Sequence, residues 1–454
     1  MKRLVENYLF QWLSSSQRKP LILRGARQVG KTWIVRKLAQ ESKRELIELN
    51  FEQNPTLIDF FHDNNPNTAL MFLKSYFKKE FIPNQSLLFL DEIQAAPQLL
   101  AKLRWFAEEM PELPVIAAGS LLDFCLNEYE YSMPVGRVTY AYLEPLSFEE
   151  FLLANGYQQL NDFLTQWHIN EVIPEPIHET LTNLLREYFF VGGMPEAVSS
   201  WIDKRSLLDI NKIHQDLLTS FRNDFAKYAK HVAHHRLDEV IQSIPNQLGE
   251  KFQYRRVNPD ISSTQIKQAL EQLCTARLCQ KVQDTPASGL PLGANTNAKT
   301  FKVILLDIGL VSSLLGLKFH ENIMEKTNRL INEGGLAEQF IGQTLKTLTP
   351  FYIDPHLYYW VREEKTSSAE LDYLITFNEK IIPIEVKSGS SGKLKSLHLF
   401  MALRDLSLAV RFNSDRPSLT DINTKSAIDR VASYQLLSLP LYLSNQLIRI
   451  LEQI

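Results

Sequence analysis

A chain of 454 residues, 44% hydrophobic and 22% charged, exceeds one ordinary core, so two or three globular domains are expected and a disordered or fibrous chain is excluded. A net charge of -3 excludes binding nucleic acid by bulk charge, though not by a local basic surface. The apolar runs are too short for a membrane span, and three cysteines (Cys125, Cys274 and Cys279) match neither a disulfide framework nor a metal spacing.

The chain starts with basic Lys2 and Arg3, but no apolar core follows, and Glu6, Asn7, Gln11 and Trp12 are spaced as in an amphipathic helix. No signal peptide is read, no membrane partner is expected, and the expected compartment is the cytoplasm. Residues 20–24, 45–51, 86–90 and 114–118 read as buried strands, with helices over 32–42, 68–80 and 97–110. This alternation predicts a parallel sheet covered by helices on both faces.

Between the first strand and its helix, Gly25, Gly30, Lys31 and Thr32 fit G-x-x-x-x-G-K-[ST]. Backbone N–H groups of such a loop, here including Gln28 and Val29, surround phosphate oxygens at a helix N-terminus. Lys31 is expected to reach the β- and γ-phosphates, and the Thr32 hydroxyl to coordinate Mg²⁺. About sixty residues later the apolar strand 86–90 ends in Asp91 and Glu92, at the tip where open α/β sheets bind ligands. Asp91 is expected to hold Mg²⁺ through water and Glu92 to polarise the attacking water.

These motifs resemble a group of prokaryotic AAA+ ATPases. Their P-loop reads G-x-R-Q-V-G-K-T, their Walker B strand ends L-D-E-I-Q as 90–94 does, and they carry G-R before L-x-P-L-S-x-x-E, matched by Gly136, Arg137 and 143–150. A G-G-M-P turn is matched at 192–195. The resemblance implies ATP and Mg²⁺ as cofactors, a helical lid and an ATP-dependent homo-oligomer. It also implies a γ-phosphate sensor at Ser120, on a strand between the P-loop and Asp-Glu strands, and an arginine finger at Arg137. An ordinary helix cap and a surface arginine are the other readings of those two residues. One departure is that no arginine follows Gly193 until Arg205, so the Gly-Gly turn is expected to position the lid without a nucleotide-contacting arginine.

From 226 to 310 the expected order is helix, turn, helix (263–276, with Ile266, Leu270 and Leu273 on one face), then strands 278–282 and 300–305. This is the outline of a winged helix-turn-helix. The segment holds eleven Lys or Arg against seven Asp or Glu, with Lys251, Arg255, Arg256, Lys267, Arg277 and Lys281 clustered around the expected wing. Such a surface suits a nucleic-acid backbone, DNA being favoured; the solvated surface of a connector is the other reading. His231, His234 and His235 lie in one helix without a zinc motif and read as solvated or capping histidines.

The last segment reads as a helix over 336–348, strands 357–362, 371–377 and 380–387, and a helix over 393–402. Strand alternation puts Glu385 and Lys387 on one face, and a hairpin through 377–380 brings them towards Asp372. Two carboxylates are the minimal hard-oxygen site for Mg²⁺ or Mn²⁺, with Lys387 beside them to orient or help deprotonate a water; Glu338 is a further candidate ligand. Glu370 shares the Asp372 face and reads as an exposed carboxylate. The stretch resembles the PD-(D/E)XK nuclease signature that the same ATPase group carries. Tyr358, Trp360 and Arg362, then Glu370 and Asp372, then 382–389 match it, while Val361 intervenes before the arginine and no proline precedes Asp372. A solvated Glu-x-Lys face that cuts nothing remains the alternative.

The expected fold class is α/β: a P-loop AAA+ parallel sheet at 1–177, a helical lid at 178–225, a winged-helix-like domain at 226–330 and an α/β PD-(D/E)XK-like domain at 331–454. The expected function is a Mg²⁺-dependent ATPase coupled to a nucleic-acid-binding, metal-dependent nuclease-like tail with a second Mg²⁺ or Mn²⁺. The alternative is a non-nucleolytic ATP-dependent switch that binds DNA or a protein partner.

Overall fold

The computed structural model describes residues 1–127, 134–228, 232–317, 334–363, 368–387, 389 and 394–454; His231 lies outside them. The chain divides into two compact units. The first comprises 1–145 with 275–277 and 349–354, and the second comprises 146–274, 278–348 and 355–454.

In the first unit, β1 (Leu21–Arg24), β2 (Glu45–Asn50), β3 (Ser86–Asp91), β4 (Val115–Ala118) and β5 (Thr139–Tyr142) form one sheet in the order β2-β3-β4-β1-β5. Every pairing is parallel. Strands β3 and β4 are buried along their whole length, and the apolar runs 87–90 and 115–118 suit strands covered on both faces. Helices Lys31–Glu41, Pro66–Phe77 and Leu99–Glu109 turn apolar stripes inward, and Leu70, Leu73, Leu99, Leu103 and Phe106 join Leu88 and Leu90 in one core. Because β4 lies between β1 and β3, the tips of all three strands carrying P-loop, Asp-Glu and Ser120 are neighbours.

The second unit opens with helices, among them Phe148–Ala154, Glu175–Val191, Pro195–Lys204 and Leu207–Tyr228. The helix Ser263–Thr275 follows, burying Ile266, Ala269, Leu270 and Leu273 on the expected face. Strands β6 (Cys279–Asp284), β7 (Asn297–Leu305), β8 (Leu357–Glu363), β9 (Ser368–Phe377), β10 (Lys380–Val386), β11 (Leu408–Asn413), β12 (Ser418–Lys425) and β13 (Val431–Pro440) form one mixed sheet. Its order is β12-β13-β11-β10-β9-β8-β6-β7. The hairpin β6–β7 is therefore no free wing: β6 pairs in parallel with β8, so hairpin and tail share one hydrogen-bonded ladder. Between β9 and β10, Asn378 and Glu379 both have positive φ (45° and 59°), the conformation a tight two-residue hairpin needs. Helix Lys395–Arg404 crosses from β10 to its parallel neighbour β11 and seats Leu397 and Phe400 against Trp360 and Leu371. Among the described residues no helix is long and apolar enough to cross a membrane.

Candidate functional site

The chain leaves β1 into a loop shaped by its glycines. Gly25 has φ +152°, and a Cβ there would meet the Leu143 carbonyl at 2.3 Å. Gly30 (φ +97°) caps helix Lys31–Glu41 in the left-handed region, and Gln28 also has positive φ (65°). A chain that bends this way turns successive N–H groups toward one point ahead of a helix N-terminus, an arrangement suited to phosphate oxygens. Lys31, 8% exposed, donates from Nζ to the carbonyls of Gly25 (2.9 Å) and Ala26 (2.8 Å). Burial pulls its ammonium down to about 8, and the carboxylates of Glu92 and Asp91 offset this only in part.

The end of β3 supplies the acids. The Thr32 hydroxyl donates to Asp91 Oδ2 at 3.2 Å, and the β2–β3 register sets Asn50 beside Asp91, its Nδ2 donating at 3.3 Å. Burial, and then the neighbouring Glu92, raise the Asp91 carboxyl to about 6. Adjacent hydroxyl and carboxylate oxygens are the donor set a hard divalent cation takes, so Thr32 and Asp91 fit Mg²⁺. Glu92 turns away from the strand in the left-handed region (φ 51°), and its Oε2 accepts from the Ser120 hydroxyl at 3.4 Å and from Gln94 Nε2. Lys31, Thr32, Asp91, Glu92 and Ser120 thus form one connected set. Asn50 and Gln94 join it without having stood out in the sequence, because their roles follow from strand register and a turn. Arg137 stands apart: its side chain is 52% exposed and donates to Glu108 at 2.6 Å.

In the second unit the G-G-M-P turn is clasped by an acid. Asp307, fully buried, accepts from the N–H of Gly193 at 2.6 Å and of Gly309 at 3.0 Å, capping helix Ile308–Leu314. A Cβ on Gly192 would lie 2.0 Å from Asp307 Oδ1, which accounts for a glycine there.

The tail's acids also converge, but on a residue sequence reasoning missed. Lys302, on β7 and 2% exposed, places Nζ 2.9 Å from Glu338 Oε2, 2.5 Å from Glu370 Oε1 and 3.4 Å from Asp372 Oδ1. The other Asp372 oxygen accepts the Val386 N–H at 2.7 Å. Glu385 pairs with Lys387 through Oε1, and its buried Oε2 has no hydrogen-bond partner among the described residues. Burial, then Asp372, push Glu338 up to about 8 and Glu385 up to about 7. Burial opposes the charge on Lys302, yet Glu338, Asp372 and Glu370 hold its ammonium well above the usual lysine range. The carboxylates repel one another and attract the lysine, while burial disfavours every charge in the pocket. Glu338, Asp372 and Glu385, expected as metal ligands, are therefore engaged by two ammonium groups, and Glu370 is ion-paired rather than free. Among the described residues no group of three or more His, Cys, Asp or Glu side chains is arranged to hold a metal ion. The overlooked signal was a lysine inside the otherwise apolar 301–306.

Four of the six basic residues expected on a nucleic-acid surface meet acids. Lys251 pairs with Glu363 at 3.2 Å, Arg256 with Glu250, and Lys281 with Glu271. Arg277, which falls in the first unit, binds both Asp123 and Asp354 at 2.9 Å and stacks over Tyr142.

Residues 17–152 match an AAA domain family, 182–321 a domain of unknown function (DUF8612) and 333–435 another (DUF4143). No curated protein matches the chain. Among solved structures, the Walker-type ATPase PABY2304 of Pyrococcus abyssi aligns with 15% identity and a TM-score of 0.44, over 69% of this chain and 95% of that one. PCH-2 of C. elegans aligns with 14% identity and a TM-score of 0.27, over 43% of this chain and 59% of that one. Likenesses at this level carry no functional weight. The family match does: the chain contains an AAA-type, ATP-binding P-loop domain.

Proposed function

We propose that this protein is a Mg²⁺-dependent ATPase acting as a switch, whose second unit binds nucleic acid or a protein partner without cutting it. The observation that carries the ATPase reading is the contact of Thr32 with Asp91 beside Lys31, with Glu92 held next to them by Ser120. In this reading the loop N–H groups from Gln28 to Thr32 bind the phosphates. The Lys31 ammonium leaves the Gly25 and Ala26 carbonyls for the β- and γ-phosphate oxygens, keeping its proton. Thr32 and Asp91 would hold Mg²⁺, which supplies Lewis-acid neutralisation of the phosphate charge. Glu92 orients the attacking water and accepts its proton as the water oxygen bonds to the γ-phosphorus and the bond to ADP breaks. Lys31→Ala is expected to lose ATP binding. Glu92→Gln is expected to bind ATP and turn it over about 10²–10³-fold more slowly. Equal turnover in Glu92→Gln and wild type would refute the assignment.

Arg137, exposed and held by a surface acid, is proposed as the group offered to a neighbouring subunit in an ATP-dependent homo-oligomer. For the second unit, the pairing of its acids with Lys302 and Lys387 favours binding without cleavage. One observation favours the nuclease reading: the β9–β10 hairpin sets Asp372 beside Glu385 and Lys387. Incubation with single- and double-stranded DNA and RNA, Mg²⁺ or Mn²⁺, with and without ATP, separates the two. No cleavage is expected; cleavage lost in both Asp372→Ala and Lys387→Ala would establish the nuclease instead.

A further inference from the structure

We infer that the Lys302 ammonium is the resident cation of the acidic pocket in the second unit, and that it excludes a divalent ion from the carboxylates gathered there. The inference rests on the non-cutting reading of that unit and says what makes it so.

Three elements deliver the acids: helix Gly334–Leu348 brings Glu338, and β9 brings Glu370 and Asp372, while β7 brings the lysine. An ammonium has three N–H donors, and Lys302 has three carboxylate partners, one for each. Its stem is fixed, because Phe301, Val303, Ile304 and Leu305 around it on β7 are all buried. The Tyr359 ring centroid lies 5.4 Å from Nζ and covers a further side of the charge.

A hard divalent ion needs about six oxygens at roughly 2.0–2.6 Å. Here the carboxylate oxygens converge on a nitrogen, and the second Asp372 oxygen is engaged by the Val386 N–H. Glu385 is itself paired to Lys387. A divalent ion drawn to the same oxygens would lie against a buried ammonium that has nowhere to retreat, and like charges at that range repel strongly. Lysine and metal are alternatives for one place. In this chain the lysine holds it, setting its one positive charge among the acids and leaving no Lewis acid to activate water. The prediction that follows is a gain of function in binding: without the ammonium, the same carboxylates become a site for a divalent cation.

The test uses the full-length, nucleotide-free chain and Mn²⁺, followed by electron paramagnetic resonance and by thermal unfolding. Wild type is expected to show no Mn²⁺ uptake that Asp372→Asn removes. Lys302→Met is expected to bind one additional Mn²⁺, to melt several degrees higher when it does, and to lose both effects when combined with Asp372→Asn. A Lys302→Met protein with wild-type circular dichroism and no added Mn²⁺ site would overturn the inference. If that variant does not fold, wild type against Asp372→Asn still decides. Asp372-dependent Mn²⁺ uptake by wild type, without nucleic-acid cleavage, overturns the role given to Lys302 alone. The same uptake with cleavage overturns the non-cutting reading as well.

Discussion

Lys31 and Lys302 are both buried lysines, 8% and 2% exposed, and they differ in everything but burial. Lys31 rests on two neutral carbonyls at the mouth of a glycine-shaped loop, and burial draws its ammonium down to about 8. Lys302 rests on three carboxylates, which hold it well above the usual range despite deeper burial. The first charge is under-served and suited to receive an anion. The second is saturated and suited to hold protein together. Burial alone decides neither role; the charge of the partners does.

The contrast is sharpest in stability. Lys302→Met leaves Glu338, Glu370 and Asp372 without their cation, and urea unfolding should show a loss of about 3–5 kcal/mol. Lys31→Met removes an ammonium hydrogen-bonded to two neutral backbone carbonyls, and its unfolding free energy should stay within about 1 kcal/mol of wild type. Equal losses in the two would dissolve the distinction.

Proton linkage gives the next effect. Phosphates raise the pKa of Lys31 on binding, so above about 8 the free protein must take up a proton to bind ATP. Affinity measured by calorimetry should be flat below that pH and fall about tenfold per unit above it, until the pKa of the bound state is reached. A flat profile up to pH 10 would mean that no group titrating near 8 takes up a proton when ATP binds. The smallest effect concerns Ser120, whose hydroxyl holds Glu92 at 3.4 Å. Ser120→Ala should lower kcat several-fold at unchanged KM for ATP, a loss of about 1 kcal/mol in positioning. A change confined to KM would assign Ser120 to nucleotide binding instead.

Much of the first unit was legible in the chain. Its central strands carry short apolar runs, its P-loop is a contiguous motif, and Asp91 and Glu92 stand at the end of a strand whose place the alternation already implied. Local spacing sufficed because the loop from Gly25 to Thr32 is made by consecutive residues. Asn50 and Gln94 were not legible, since one reaches Asp91 through strand register and the other reaches Glu92 across a turn. In the second unit the helix Ser263–Thr275 and most strands were legible, but their assembly was not. A hairpin reads the same whether it is a free wing or the edge of a larger sheet, and only the β6–β8 ladder tells them apart.

The sequence by itself determined where a phosphate-binding loop must form, because glycines at forced φ angles, a lysine and a hydroxyl act within eight consecutive residues. It also determined that acids lie along β9 and β10. Tertiary structure alone decided what those acids face. Lys302 stands 36 residues before Glu338 and 70 before Asp372, and no local pattern links such positions. A cluster of carboxylates takes its chemistry from the cation at its centre, and that cation arrives on a strand brought alongside by folding.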